Sequence, residues 1–129
     1  MNNLEKYEFV IKKLKKEFLS FIDDILDVFP NNTDILLNRI FAYQLSENML
    51  IENLYKNINF ECIENRNEYY LINELVFFKS EEFINKEKYI FKNIWNTDGM
   101  NETNKELIWK WMNMIIFLIK TAKKIDNDF

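Results

Sequence analysis

The chain has no histidine and only one glycine, one proline and one cysteine in 129 residues. Each scarcity excludes something. Without histidine the commonest general base, the commonest metal ligand and every Ser–His or Cys–His nucleophile system are missing. A single glycine, Gly99, cannot build the glycine-rich loops that cradle phosphates and dinucleotides. Few glycines and prolines also leave few turn formers for a β fold, which needs a turn about every 8–12 residues. Asparagines could supply some turns, but the long three-and-four periodic runs described below suit helices better. Abundant Asn, Lys and Ile point to an AT-rich coding bias. The lone Cys62 excludes an internal disulfide and fits a reducing compartment.

Charge is not in excess on the basic side: 17 Lys and Arg against 21 Asp and Glu give a net −4. Phosphate neutralisation favours a basic domain or a clear basic stripe, so nucleic acid is not the expected partner. The dense basic cluster Lys12, Lys13, Lys15 and Lys16 is interleaved with Glu8 and Glu17 and reads as a solvated helix face. With exposed aromatics it would be the only route to single-stranded nucleic acid. The opening MNNLEKYEF lacks the layout of a signal peptide. The apolar run Ile108–Ile119 falls short of the ~20 residues of a membrane span and is interrupted by Lys110 and Asn113. A soluble, intracellular protein without a membrane partner is expected.

What is present is core material: 48% hydrophobic residues, with 12 Phe, argue against disorder and for one domain over 1–129. The last run, Thr103 to Ile125, opens with a capping-box signature at Thr103 and Glu106. Beyond it almost no polar face remains, and a helix apolar all round is usually buried on several sides. This predicts an all-α fold, a compact bundle of five to six helices around the hydrophobic C-terminal helix.

The other helices follow from spacing. Leu4, Tyr7, Ile11, Leu14, Phe18, Phe21, Ile25 and Val28 step by threes and fours, giving a helix over 3–29 that Pro30 ends. Asn32 or Thr33 starts a helix over 33–45, and Ser46 caps a third over 46–58. Residues 59–67 read as a connector. Residues 68–79 carry many strand-favouring side chains, but Leu71, Leu75 and Phe78 give a helical stripe, and a helix is expected there. A short helix over 80–93 precedes a turn at Asn96–Gly99 and the helix over 103–125.

Carboxylates are the remaining chemistry. Asp23, Asp24 and Asp27 cluster near the end of the first helix, where Asp opposes the helix dipole. Asp23 and Asp27 are i,i+4 neighbours and the weak candidates for a divalent metal supporting phosphoryl chemistry. The plainer reading makes the cluster a solvated face or a set of partners for basic groups such as Arg39. Cys62, with only Arg66 nearby in sequence, reads as a buried structural thiol. Trp109 and Trp111 point in different directions on a helix, so one belongs to the core and the other is a candidate anchor, with Trp95 a third.

Several pieces occur in a familiar order: Phe21-Ile22-Asp23-Asp24-Ile25-Leu26-Asp27-Val28-Phe29-Pro30, the pair Phe77-Phe78, Phe91-Lys92-Asn93-Ile94-Trp95, and Asn101-Glu102-Thr103-Asn104-Lys105-Glu106-Leu107-Ile108-Trp109-Lys110-Trp111. The chain resembles, over about Phe18–Ile119, a group of short uncharacterised helical proteins of nucleocytoplasmic large DNA viruses, the giant viruses. Their pattern is a helix ending in Phe-Pro, an aromatic pair, Phe-x-x-Leu-Trp and an Asn-Thr-x-x-x-Ile-Trp-x-Tyr helix start. The chain departs from it at Ile94, at Trp111 and in the connector Cys62–Asn67. The resemblance implies a viral origin and transfers no catalytic residue. A second comparison is with viral Bcl-2-like helical proteins that modulate the host. Their Asn-Trp-Gly-Arg motif is not reproduced, since Trp95 is followed by Asn96-Thr97-Asp98-Gly99 and Met100.

The expectation is therefore a non-enzymatic viral protein without cofactor, in host cytoplasm, viral factory or virion. Its partner would be a viral or host protein, with a homo-oligomer as a further option. Asp23, Asp24, Asp27, Trp95, Trp109 and Trp111 are the candidate partner-binding residues.

Overall fold

The computed structural model describes residues 1–79 and 89–127. Among these the fold is all-helical: α1 (Asn3–Val28), α2 (Thr33–Gln44), α3 (Glu47–Asn57), α4 (Phe60–Glu64), α5 (Glu68–Asn73) and α6 (Glu102–Asn127). The two 26-residue helices, α1 and α6, pack on each other. Helices α2 and α3 lean on α1, α4 on α6, and α5 on α4. No described helix is long and apolar enough to cross a membrane.

The helix starts are set by side-chain oxygens. Asn2 accepts from the Glu5 N–H, Asn32 from Ile35, Asn59 from Cys62, Asn67 from Tyr70 and Asn101 from Asn104, all at 2.8–3.1 Å. Ser46 does the same for Met49 at 3.2 Å. An N-cap satisfies a backbone donor that the helix itself leaves orphaned. Asparagine thus defines boundaries in a chain with one glycine and one proline. The expected Thr103–Glu106 capping box is not formed. The helix starts two residues earlier on Asn101, and Glu106 instead receives the Arg66 guanidinium at 2.6 and 3.0 Å. That bond holds the Glu106 carboxyl below its ordinary range.

Two sequence expectations change at the middle of the chain. The connector 59–67 contains α4, which buries Ile63 and turns its polar residues outward. It ends with Arg66 in the left-handed region (φ 52°), where the Asn67 N–H reaches the Cys62 carbonyl at 2.8 Å and the Arg66 N–H reaches Ile63 at 3.0 Å. These are the two bonds of a Schellman stop. The expected single helix over 68–79 is α5 followed by an irregular run in which Leu75, Val76, Phe77 and Phe78 are all buried. The helical stripe does not hold here because Leu75, Val76, Phe77 and Phe78 all find core sites on an irregular backbone, and the Asn57 amide donates to the Phe77 carbonyl at 2.8 Å. Of the expected helix over 80–93, residues 80–88 lie outside the described residues, and 89–93 form turns.

The core is organised on Phe18 of α1, which is fully buried. Phe77 and Phe78 meet its ring edge-on at 5.0 and 6.1 Å, Phe21 lies at 6.4 Å, and Phe41 of α2 packs on Phe78 at 4.9 Å with the rings tilted by 57°. The basic cluster is not uniformly solvated. Lys15 donates to the carbonyls of Tyr43 (2.9 Å) and Leu45 at the end of α2, a cation on the negative pole of a helix.

Phe18→Ala is expected to destabilise the fold by roughly 3–5 kcal/mol, read from urea unfolding, because a buried ring leaves a cavity its neighbours cannot fill. Tyr70 gives a pH test. Burial, chiefly, pushes its phenol above the ordinary value, against the bond it accepts from the Asn59 N–H at 2.7 Å. A raised folded-state value means full stability below the ordinary phenol pKa of about 10 and loss as pH climbs beyond it. Tyr70→Phe should flatten that alkaline loss, the remainder belonging to Tyr7, also raised mainly by burial, and to Lys123, which burial lowers but the bond to Glu52 raises further. The variant should start less stable at neutral pH, where Asn59 loses its acceptor. Thermal unfolding across alkaline pH measures both effects.

Candidate functional site

The acidic end of α1 and the start of α6 come together. Asp24, Ile25, Val28 and Phe29 on one side, and Met100, Leu107, Ile108 and Trp111 on the other, enclose a mainly apolar cavity of about 100 Å³. Its polar groups are Asn104 and the Trp111 indole N–H, which donates to the Asp24 carboxylate at 3.1 Å. The Trp111 ring lies 5.8 Å from Phe21, so one face rests on the core while the other meets solvent.

The floor depends on the turn before α6. Thr97 Oγ1 donates to the Ile94 carbonyl at 2.7 Å, and the Asn104 amide donates to the Gly99 carbonyl at 3.0 Å. A Cβ on Gly99 would stand 3.1 and 3.3 Å from two atoms of the Phe29 ring. A side chain here would therefore press on the Phe29 ring, and the position has no positive φ.

The candidate residues separate. Asp23 is bonded by Arg39 at 2.9 and 3.3 Å, tying α1 to α2 and raising the Arg39 pKa through that bond. The Asp23 carboxylate is therefore engaged away from Asp27, which is exposed. Among the described residues no three of His, Cys, Asp and Glu stand together as a metal ligand set. Trp95 and Trp109 are core residues at 1% and 5% exposure, packed edge-on at 6.1 Å. The Trp95 N–H is taken by Glu68 at 2.9 Å, and Lys105 lies 5.4 Å over its ring. Both tryptophans are thereby removed as surface anchors, leaving Trp111. Cys62 is half-buried against the core, and its sequence neighbour Arg66 is bonded to Glu106 instead.

One surface was not anticipated. The α6 run is not covered on all sides: Leu107 is 48% and Phe117 65% exposed, with Trp111 and Met114 half-exposed between them. Leu107, Trp111 and Met114 share a second shallow depression with Lys110. Their spacing at i, i+4 and i+7 is the signal, and the uninterrupted apolar run around it hid which face was left open.

Comparison of the chain with known protein families, curated proteins and solved structures finds no match in any of the three.

Gly99→Val should push Phe29 out of place and lower stability by roughly 1–3 kcal/mol, with Gly99→Ala costing less. Chemical unfolding of the two variants checks the order.

Proposed function

We propose that the protein is a non-enzymatic recognition protein whose partner docks over Trp111, where the end of α1 meets the start of α6. The observation that carries this reading is the Asp24–Trp111 pair set in an apolar hollow and continued by exposed Leu107. A half-exposed tryptophan fixed by one hydrogen bond is a pre-set anchor, and tryptophan supplies much of the energy at interfaces. Size supports the same reading. Pockets that bury a substrate or cofactor run from about 300 to 1,000 Å³, whereas about 100 Å³ here suits a single apolar side chain. The resemblance to giant-virus proteins supports a setting in the host cytoplasm, the viral factory or the virion.

Affinity capture with the tagged protein from cells that make its partners tests this. The intact chain should retain a specific polypeptide, another protein or an untagged copy of itself. Leu107→Glu, at a side chain that is 48% exposed and lines the hollow, should lose it by more than about tenfold with an unchanged helical spectrum. Retention of nothing by the intact chain overturns the proposal.

A further inference from the structure

We propose that Asp98 is a site of spontaneous backbone rearrangement in the folded protein, where the Gly99 nitrogen closes on the Asp98 carboxyl and isoaspartate results. The proposal needs no partner and stands apart from the reading of the Trp111 surface.

The turn before α6 supplies the conditions. Asp98 and Gly99 are the two central residues of a β-turn closed by the Met100 N–H on the Thr97 carbonyl at 3.0 Å, and both are exposed. The peptide group that joins them is unanchored: among the described residues neither the Asp98 carbonyl nor the Gly99 N–H is hydrogen-bonded. The Asp98 carboxylate has no partner among them either. Its surroundings are held. The Thr97 hydroxyl is fixed on the Ile94 carbonyl at 2.7 Å, and the Gly99 carbonyl accepts from the Asn104 amide at 3.0 Å. The free peptide group can swing between the two Cα atoms that flank it, carrying the Gly99 nitrogen toward the Asp98 Cγ without breaking those bonds. With no Cβ, Gly99 leaves the approach clear and tolerates the backbone angle the swing requires.

The other described aspartates lack this freedom. Asp23, Asp24, Asp27, Asp34 and Asp126 lie inside helices, where the next N–H is held by the helix or, at Ile35, by the Asn32 cap.

The chemistry needs water and no other reagent. The Gly99 nitrogen bonds to Cγ of the protonated carboxyl, and the hydroxyl leaves with the nitrogen's proton as water, giving a succinimide. Water then reopens the ring. Attack at the side-chain carbonyl restores Asp98; attack at the main-chain carbonyl leaves the chain running through Cβ and Cγ, with the α-carboxylate free. Mass is conserved, and the backbone gains one atom. That atom enters where Gly99 lies against Phe29 and Met100 lines the hollow, so the rearrangement displaces the floor of the Trp111 pocket.

Peptide mapping of the purified full chain, held folded at neutral pH and physiological temperature, tests the proposal. An isoaspartyl methyltransferase with labelled S-adenosylmethionine marks the free α-carboxylate. Label should concentrate at Asp98. It should accumulate there at a rate within about tenfold of that for the same chain in urea, an opening cost below about 1.4 kcal/mol. Asp98→Glu, which would have to close a larger ring, should lose the label with an unchanged helical spectrum. Asp98→Asn, with ammonia as leaving group, should give the same isoaspartate faster. The converted chain, separated from the native one, should melt at lower temperature. Label at Asp98 no greater than at the helical aspartates, or a folded rate more than about tenfold below that in urea, overturns the proposal. Identical melting of the two forms overturns the displacement of the pocket floor.

Discussion

The packing of Phe77 and Phe78 against Phe18 ties the irregular middle of the chain to α1. The run Leu75–Phe78 makes neither helix nor sheet, so its backbone groups need other partners. The Asn57 amide supplies one, on the Phe77 carbonyl. Two rings buried edge-on against Phe18 hold the segment in place. With that plug seated, α2 closes over Phe78 through Phe41. The upper half of α1 can then align with α6 through Phe21 and Trp111. The Trp111 surface and the phenylalanine cluster are thus linked through neighbouring rings of α1, Phe18 and Phe21.

Polar contacts position elements around that apolar centre more than they add stability. Exposed ion pairs such as Arg39–Asp23 are usually worth little, yet this one is two-pronged and joins α1 to α2. Lys15 reaches across to the end of α2 and satisfies carbonyls that the helix cannot. The buried Trp95 has its N–H met by Glu68 of α5. Two of these contacts set α2 on α1, and the third ties α5 to the turn before α6.

Much of the fold was legible in the sequence, because the signals were local. The three-and-four spacing from Leu4 to Val28 gives α1, Pro30 its end, and Asn32 and Ser46 the starts of α2 and α3. The errors share a cause. Residues 74–79 and the open face of α6 depend on which neighbours cover an apolar side chain, and a list of apolar residues does not encode that. Phe78 and Phe117 look alike in sequence, yet one is at 1% exposure and the other at 65%. For the site, Asp24 and Trp111 were both among the candidate residues. That they touch across 87 positions was not readable, nor was the withdrawal of Trp95 and Trp109 into the core. Of the asparagines only Asn32 reads as a cap in the sequence, yet Asn2, Asn59, Asn67 and Asn101 mark helix starts as well.

Those capping amides affect how the protein would age. Side-chain amides of asparagine are chemically labile, and direct hydrolysis of the amide, as opposed to closure on the backbone, would turn Asn2, Asn32, Asn59, Asn67 or Asn101 into aspartate. Aspartate caps as well as asparagine does and adds a charge that the positive pole of a helix welcomes. Such damage would make an already acidic chain more so while its helix borders stayed in place.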